Sequence, residues 1–231
     1  MQNTRKVEVS VVMPCLNEAE GVAQCIKEVK EVFRKEGIEG EIIVVDNNSE
    51  DDSAVIALKN GARVVSQPER GYGNTILKGL SIARGKFIVI GDADNSYDFR
   101  EIPKFLEQVR RGSDLVIGSR YRGRIEKGAM PTLHYYVGNP FFSFLLRKLY
   151  RIKITDSHCG FGVVKREALK NLELESKGME FASEILIKAA KANLRISEVP
   201  IVYRKRKGKS KLRTFQDGWR HLSLILKEYF N

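Results

Sequence analysis

Residues 86–94 read KFIVIGDAD: four apolar residues, Phe87 to Ile90, run into a glycine and then into two aspartates one residue apart, Asp92 and Asp94. A run that is apolar at every position, rather than at every second one, belongs to a strand buried on both faces, as in parallel sheets covered by helices. The same pattern lies on either side of it. Val7 to Met13 (VEVSVVM) is a β-branched run expected to stop at Pro14, and Glu41 to Asp46 (EIIVVD), Ala62 to Ser66 and Asp114 to Gly118 (DLVIG) are further strands. Between them the spacing predicts helices. Asn17 is expected to cap one that carries Val22, Ile26, Val29 and Phe33 and ends at Gly37; others cover 51–60, 74–84 and 101–111. Strands alternating with helices make an α/β fold with a mainly parallel sheet and helices on both faces.

Polar residues stand where these strands end: Asn17 and Glu18, Asp46 and Asn47, Asp92 and Asp94, Ser119 and Arg120. In open α/β sheets ligands bind outside the carboxyl ends of the strands, so these positions form one candidate rim. The second half is less regular. Residues 121–140 read as a long loop rich in glycine and proline, 141–152 (FFSFLLRKLYRI) as an aromatic, basic helix, 160–165 as a strand, 180–192 as a helix and 195–203 as a last strand. Residues 204–213 (RKRKGKSKLR) hold seven basic residues and no acid, and 217–230 reads as an amphipathic helix with Trp219, Leu222, Ile225, Leu226 and Tyr229 on one face.

The chain has 231 residues, 42% apolar and 30% charged, a composition that excludes disordered and collagen-like classes. Its net charge of +11 favours an anionic partner: nucleic acid, anionic lipid or a phosphorylated small molecule. The basic run lacks interleaved aromatics, which argues against nucleic acid. No apolar stretch reaches the roughly 18–20 residues of a membrane span. The start, MQNTRKVEVS, lacks the apolar core of an export signal. Three cysteines without CxxC spacing fit a reducing cytoplasm, and His134, His158 and His221 are too scattered to suggest a metal cluster.

Carboxylates at i and i+2 on extended backbone point to one side. Left alone they repel; a hard cation such as Mg²⁺ or Mn²⁺ neutralises them and in turn grips a diphosphate. The lone GxG at Gly71-Tyr72-Gly73 is weak evidence for a phosphate loop, and Asp156 with His158 are candidates to close a site from the far side.

Taken in order, SVVMPCLNEAEGV (10–22), EIIVVDNNSEDDS (41–53), ARGKFIVIGDADNSYD (83–98), DLVIGSRY (114–121) and EVPIVYRKRKGKSKLRTFQDGWRHL (198–222) resemble the family-two glycosyltransferases of GT-A fold. The basic GKSKL segment after EVPI is similar to the polyprenyl-phosphate sugar transferase branch, which includes dolichyl-phosphate mannose synthases. The resemblance implies one domain over 1–231: a Rossmann-like nucleotide-sugar-binding half (1–120), an acceptor half (121–213) and a C-terminal amphipathic helix (214–231). It implies that Pro14, Leu16, Glu18, Asp46 and Asn47 bind the nucleotide, that Asp92, Asp94 and Ser96 take Mg²⁺ or Mn²⁺ and the diphosphate, and that Ser119 and Arg120 lie near the donor diphosphate or the acceptor phosphate. Arg206, Lys209, Ser210 and Lys211 would clasp phosphate. Two positions depart from the family pattern: Asn47 stands where a second carboxylate is common, and Ser96 where glutamine is.

The implied reaction is an inverting, metal-dependent hexosyl transfer from a nucleotide sugar (GDP- or UDP-linked) to a dolichyl or other polyprenyl phosphate, at the cytoplasmic face of an anionic membrane and without nucleic acid. Asp94 and Arg120 carry the catalytic roles. An acceptor phosphate with a second pKa of about 6 is already anionic, so no general base is required. A soluble or protein acceptor, or a non-enzymatic basic module at a membrane, stays open as an alternative. A nucleotidyltransferase is disfavoured, because PCLNEAEG after the first strand carries no Lys or Arg.

Overall fold

A computed structural model of the chain describes residues 7–231; residues 1–6, part of the stretch read for an export signal, lie outside the described residues. The first half alternates as expected: β1 (Val9–Cys15), α1 (Val22–Glu36), β2 (Gly40–Asp46), α2 (Ser53–Lys59), β3 (Arg63–Ser66), α3 (Tyr72–Ile82), β4 (Phe87–Ile90), a 3₁₀ turn (Phe99–Glu101) and α4 (Ile102–Arg110). The second half adds β5 (Leu115–Ile125), a π-type turn (His134–Gly138), α5 (Asn139–Tyr150), β6 (Gly162–Lys165), α6 (Arg166–Leu169), α7 (Phe181–Lys191), β7 (Ile196–Tyr203) and α8 (Thr214–Phe230). All seven strands join one sheet in the order β3-β2-β1-β4-β6-β5-β7. Only β6 runs against its neighbours β4 and β5.

Three expectations are corrected. β1 does not stop at Pro14 but continues to Cys15, with Pro14 opposite Val45. The carbonyl of Val12 faces β4, accepting from Gly91 N at 3.2 Å, and that of Cys15 faces β2, accepting from Asn47 N at 2.9 Å. Pro14 therefore turns its nitrogen to the β4 side, where pairing has already ended at Val12 opposite Ile90, and no ladder bond is lost. Asn17 does not cap α1. It sits in left-handed backbone at φ 53, and the helix starts after Gly21. A Cβ at 21 would lie 2.6 Å from the Ala93 carbonyl oxygen, so glycine lets the start of α1 press against the loop that carries Asp92 and Asp94.

Third, the expected 121–140 loop is largely regular. β5 runs on to Ile125, across a register shift against β7 between Ser119 and Arg124, and the π-type turn leads straight into α5. The glycine at 123 that argued for a loop falls in that irregular stretch of strand, where bulges are at home.

The sheet is covered on both faces. Val9, Val11 and Met13 of β1 pack with Ile26 and Val29 of α1 and with Phe99, Phe105 and Phe161. Val12, Ile43, Val45 and Ile88 pack on the opposite side with Ile76 of α3, Leu146 of α5, Leu186 of α7 and Ile225 of α8. Burying one such side chain is worth about 1.5–3 kcal/mol. These two layers hold the strand ends in place, and the site is built on those ends.

Candidate active site

At the end of β1, backbone and side chains of two loops brace each other. Asn17 N donates to Ser49 Oγ at 2.9 Å, Glu50 N to Asn17 Oδ1 at 2.7 Å, and Glu18 N to Ser53 Oγ at 2.7 Å. Glu18 is thereby presented inward as a buried carboxylate. Burial raises its pKa, and Lys211 and Arg206 work against that rise. Pro14 is buried in the strand behind it and Leu16 half-buried beside it. Asp46, ending β2, accepts from Ser49 N through Oδ2 at 3.3 Å. Asn47 is committed to the fold: its Nδ2 donates to the carbonyls of Gln67 and Glu69 at 2.7 and 2.8 Å, and its Oδ1 accepts from Gly71 N at 2.8 Å. A second carboxylate would have no N–H to offer those two carbonyls, which accounts for an amide at 47.

After β4, Asp94 is buried and accepts from Ser96 N at 2.9 Å. Asp92 accepts a hydrogen bond from Tyr72 Oη at 3.0 Å. Loss of hydration, and then the neighbouring Asp94 charge, push the Asp92 pKa up, the response of two carboxylates crowded in a dry corner. Tyr72, from the glycine-flanked turn, is thus an aspartate-orienting residue rather than a mark of a phosphate loop.

The basic segment folds over these carboxylates. Arg204 N donates to Ser96 O at 2.8 Å and Lys207 N to Asp94 O at 2.9 Å. The Arg204 guanidinium anchors the entry on Glu28, at 2.9 Å, and on Asp98. Arg206 Nη2 then lies 3.0 Å from Glu18 Oε1 and 3.2 Å from Asp94 Oδ2. Lys211 Nζ donates to Glu18 Oε1 at 2.5 Å and to the Asn17 carbonyl at 3.1 Å. Lys209 and Ser210, between them, are exposed.

Across the cleft, Arg120 is paired with Asp156 through two bonds, Nε–Oδ2 at 2.6 Å and Nη2–Oδ1 at 2.7 Å, and its backbone N also donates to Oδ2 at 3.0 Å. Both side chains are buried, at 7% and 0% exposure, and the guanidinium lies 5.1 Å from the centre of the Tyr203 ring. Ser119 Oγ meets Thr155 Oγ1 at 2.6 Å. Glu198 holds this loop by accepting from Thr155 N and Asp156 N at 2.6 and 3.0 Å. Tyr72, Asp156 and Glu198 are site residues to which sequence reasoning gave no firm role; each acts through a partner distant in the chain, so no local motif marks it.

The histidines, scattered in sequence, partly converge. His158 Nε2 and His221 Nδ1 are 3.1 Å apart, with Ser157 and Ser183 bonded to the pair. Burial holds both in the neutral form, His158 well below the usual range and His221 at about 4. Among the described residues no group of three or more His, Cys, Asp or Glu is arranged to hold a metal alone. The cleft fits a hard divalent cation differently. Buried polar atoms without a hydrogen-bond partner gather here: Glu18 Oε2, Asp46 Oδ1, Asn95 Oδ1, Ser96 Oγ and Arg206 Nε. Such atoms are costly unless a ligand or ion meets them. Two aspartates and a hydroxyl suit an ion that keeps other positions for diphosphate oxygens and water.

Known proteins resemble the chain in sequence and in fold. The profile of Glycosyl transferase family 2 matches residues 10–173. The Low-salt glycan biosynthesis hexosyltransferase Agl6 of Haloferax volcanii is 44% identical over 219 residues, which are 94% of this chain and 53% of that protein, so the chain spans about half the length of this relative. The Dolichyl-phosphate hexose transferase of the same organism is 34% identical over 91% of this chain and 89% of its own length. Among solved structures, glucosyl-3-phosphoglycerate synthase from Mycobacterium tuberculosis, in complex with Mn²⁺, uridine diphosphate and phosphoglyceric acid, superposes with a TM-score of 0.76 at 22% identity, covering 96% of this chain and 78% of that one. That likeness is one of fold; the family profile and the two Haloferax volcanii relatives place the chain in glycosyl transferase family 2.

Proposed function

We propose that the chain transfers a hexose, with inversion, from a nucleoside-diphosphate sugar to a polyprenyl phosphate at an anionic membrane surface. The observation that carries this is the meeting, in one cleft, of the Asp92–Asp94 pair with a cationic segment that leads directly into an exposed apolar helix. The nucleoside is received at the ends of β1 and β2, by Pro14, Leu16, Glu18 and Asp46, with Asn47 holding the adjoining loop. Asp92, Asp94 and Ser96 would hold the divalent ion, Mg²⁺ or Mn²⁺, which when bound would stabilise the negative charge developing on the departing diphosphate. Asp94 is oriented for this by Ser96 N, and Asp92 by Tyr72. Arg120, fixed on Asp156, supplies a positive field to the far wall together with Ser119. Lys209 and Ser210, with Arg206 and Lys211 from the same segment, take the acceptor phosphate. Its oxygen forms the new bond to the anomeric carbon as the bond to the diphosphate breaks, and the electron pair leaves with the nucleoside diphosphate. No proton has to be removed from a phosphate dianion, and His158 and His221, both engaged with each other, are not needed as bases.

A lipid acceptor is favoured over a soluble one by the outer surface. Along α8, Phe215, Trp219, Leu226 and Phe230 form an exposed stripe, and Leu133, Val137, Phe141 and Phe144 form another along the helix that ends in α5. Arg147 and Lys148 of α5, with Arg151 and Lys153 just beyond its end, stand exposed at the foot of the second stripe. Apolar stripes edged by cations suit a helix pair lying in a membrane interface. No helix among the described residues is long and apolar enough to cross a membrane. The name of one relative, a Dolichyl-phosphate hexose transferase, points the same way. The test is a panel of radiolabelled nucleotide sugars offered with polyprenyl phosphate in phosphatidylglycerol-containing vesicles. Label should move into the organic phase from one of them only when lipid phosphate and a divalent ion are both present. Transfer to water-soluble acceptors alone would reject the lipid reading.

A further inference from the structure

Among the described residues Arg206 pairs its side chain with both carboxylates, Glu18 and Asp94, and it does so with a single nitrogen, Nη2. Lys211 adds a second cation on Glu18. The negative corner that suits a divalent ion is thus neutralised by the protein's own side chains. The contact is not a tight one. Arg206 keeps 26% side-chain exposure, its Nε is buried without a partner, and so is Glu18 Oε2. A structural pair of the Arg120–Asp156 kind uses two parallel bonds; this one leaves donors and acceptors unmatched in a dry place, where each is costly. The backbone around it is jointed. Gly208 sits at φ +75, between Arg206 and Lys211, and Lys207 is tied to the Asp94 carbonyl by one hydrogen bond of 2.9 Å.

We infer that Arg206, paired with Asp94 and steadied at the same corner by Lys211 through Glu18, competes with the divalent ion for Asp94, so that the ion entering the site releases the basic segment, and the segment then becomes free to bind the phosphate of the acceptor. This rests on the reading that Asp94 takes a metal, and extends it to what the basic segment does at that carboxylate before the ion arrives. The two positions of one segment are mutually exclusive for electrostatic reasons. A guanidinium within about 3 Å of Asp94 repels a dication bound to the same carboxylate. Once displaced, its charges have no carboxylate to meet and are available to phosphate oxygens. By linkage, whatever holds the segment away also tightens ion binding by the same factor.

The test uses Mn²⁺ alone, without nucleotide, on the full chain. Calorimetry should show Arg206→Gln binding Mn²⁺ about tenfold more tightly than wild type, the size of one charge-assisted contact removed from competition. Arg206→Lys, which keeps the charge, should stay near wild type, and Lys211→Gln should gain less than Arg206→Gln because Lys211 touches Glu18 only. Hydrogen exchange on the wild-type chain supplies a readout that needs no variant: saturating Mn²⁺ should speed exchange of the Lys207 amide and its neighbours through 211, and leave the amides of β4 unchanged. If Mn²⁺ binds equally well, or less well, to Arg206→Gln, or if protection over 205–211 is the same with and without the ion, the competition is wrong while the metal reading stands. If Mn²⁺ binds neither protein, both fall.

Discussion

Arg120 and Arg206 face each other's regions across the same cleft, and each is paired with an aspartate, but the two corners are built differently. At the β5 end Arg120 gives Asp156 two side-chain bonds and a backbone one, in full burial, on a loop held by Glu198. At the β4 end Arg206 shares one nitrogen between Asp94 and Glu18 and leaves buried atoms unmatched. The first arrangement has little to gain from a ligand. The second has polar atoms in reserve. Permanence therefore belongs to the β5 wall, and exchange to the β4 corner.

The largest effect that tests this contrast is on stability. Asp156→Ala strands a buried guanidinium, a change that costs about 3–5 kcal/mol. Arg206→Ala removes a part-exposed cation whose carboxylates keep other partners, Lys211 on Glu18 and Ser96 N on Asp94, and should cost less than Asp156→Ala. Denaturant unfolding of the two variants measures the difference; equal losses would erase the distinction between the corners. On the proposed reading Arg120 acts from its pair with Asp156, so Arg120→Ala should lose stability as well as rate.

Next in size is the loss of chemistry. Asp94→Asn should lower turnover by about 10²–10³-fold, the scale of removing one preorganised stabiliser of transition-state charge, while the melting temperature changes little. Asp92→Asn should be milder, because Tyr72 still orients the side chain. Chelation by EDTA should imitate both variants in the wild type, with recovery on adding Mg²⁺ or Mn²⁺. Full activity of Asp94→Asn in chelator would remove the ion from the mechanism.

The legibility of these two corners in the sequence differs for a physical reason. The β4 corner follows from local pattern: an apolar run ends, and Asp92 and Asp94 follow at once on the exposed end of the sheet. The β1 end was legible for the same reason, although Asn17 was expected as a cap and instead links two loops. The β5 wall was half legible. Arg120 stands at its strand end, but its partner is 36 residues away, and no periodicity relates the two. Residues 121–140 misled because glycine and proline counts say nothing about a bulged strand extension or a π-type turn packed on Tyr121, whose hydroxyl donates to the Tyr135 carbonyl at 2.8 Å. In α8 the expected apolar face was divided. The residues it buries are Asp217, His221 and Ile225, while Trp219 is 70% exposed. Periodicity finds a stripe; it cannot say which solvent the stripe meets.

The permanent side of the cleft should also show in acid. His158 and His221 tie α8 to the loop that follows Asp156, and both are held neutral by burial. Their folded pKa values lie below the unfolded value near 6.5, so the unfolded chain binds more protons and stability rises with pH in that window. The contribution is complete above about pH 6.5 and is lost as the pH falls toward about 4, the His221 value. Unfolding free energy should therefore drop by roughly 2 kcal/mol for each histidine between pH 7 and pH 5. In His221→Gln that portion of the slope should flatten. An unchanged slope would show that the pair does not bear on the fold.

The smallest effect concerns the membrane and sets the two ends of the basic segment against each other. Lys209 is exposed, whereas Arg206 is held on Glu18 and Asp94. A basic residue near an anionic surface is worth about 1 kcal/mol, or roughly fivefold in partition. Lys209→Gln should therefore weaken binding to phosphatidylglycerol-containing vesicles about fivefold in chelator, and Arg206→Gln should change it little, because its charge is already spent on carboxylates. Removing Arg206 even leaves Glu18 and Asp94 less neutralised, which works against a surface of the same sign and sets an upper limit on any gain. Raising salt to about 1 M shortens the screening length to about 3 Å and should release most of the wild type, leaving only what the two apolar stripes contribute. Equal losses from the two substitutions would mean that Arg206 already faces the lipid, and the β4 corner would then be as open as the surface around it.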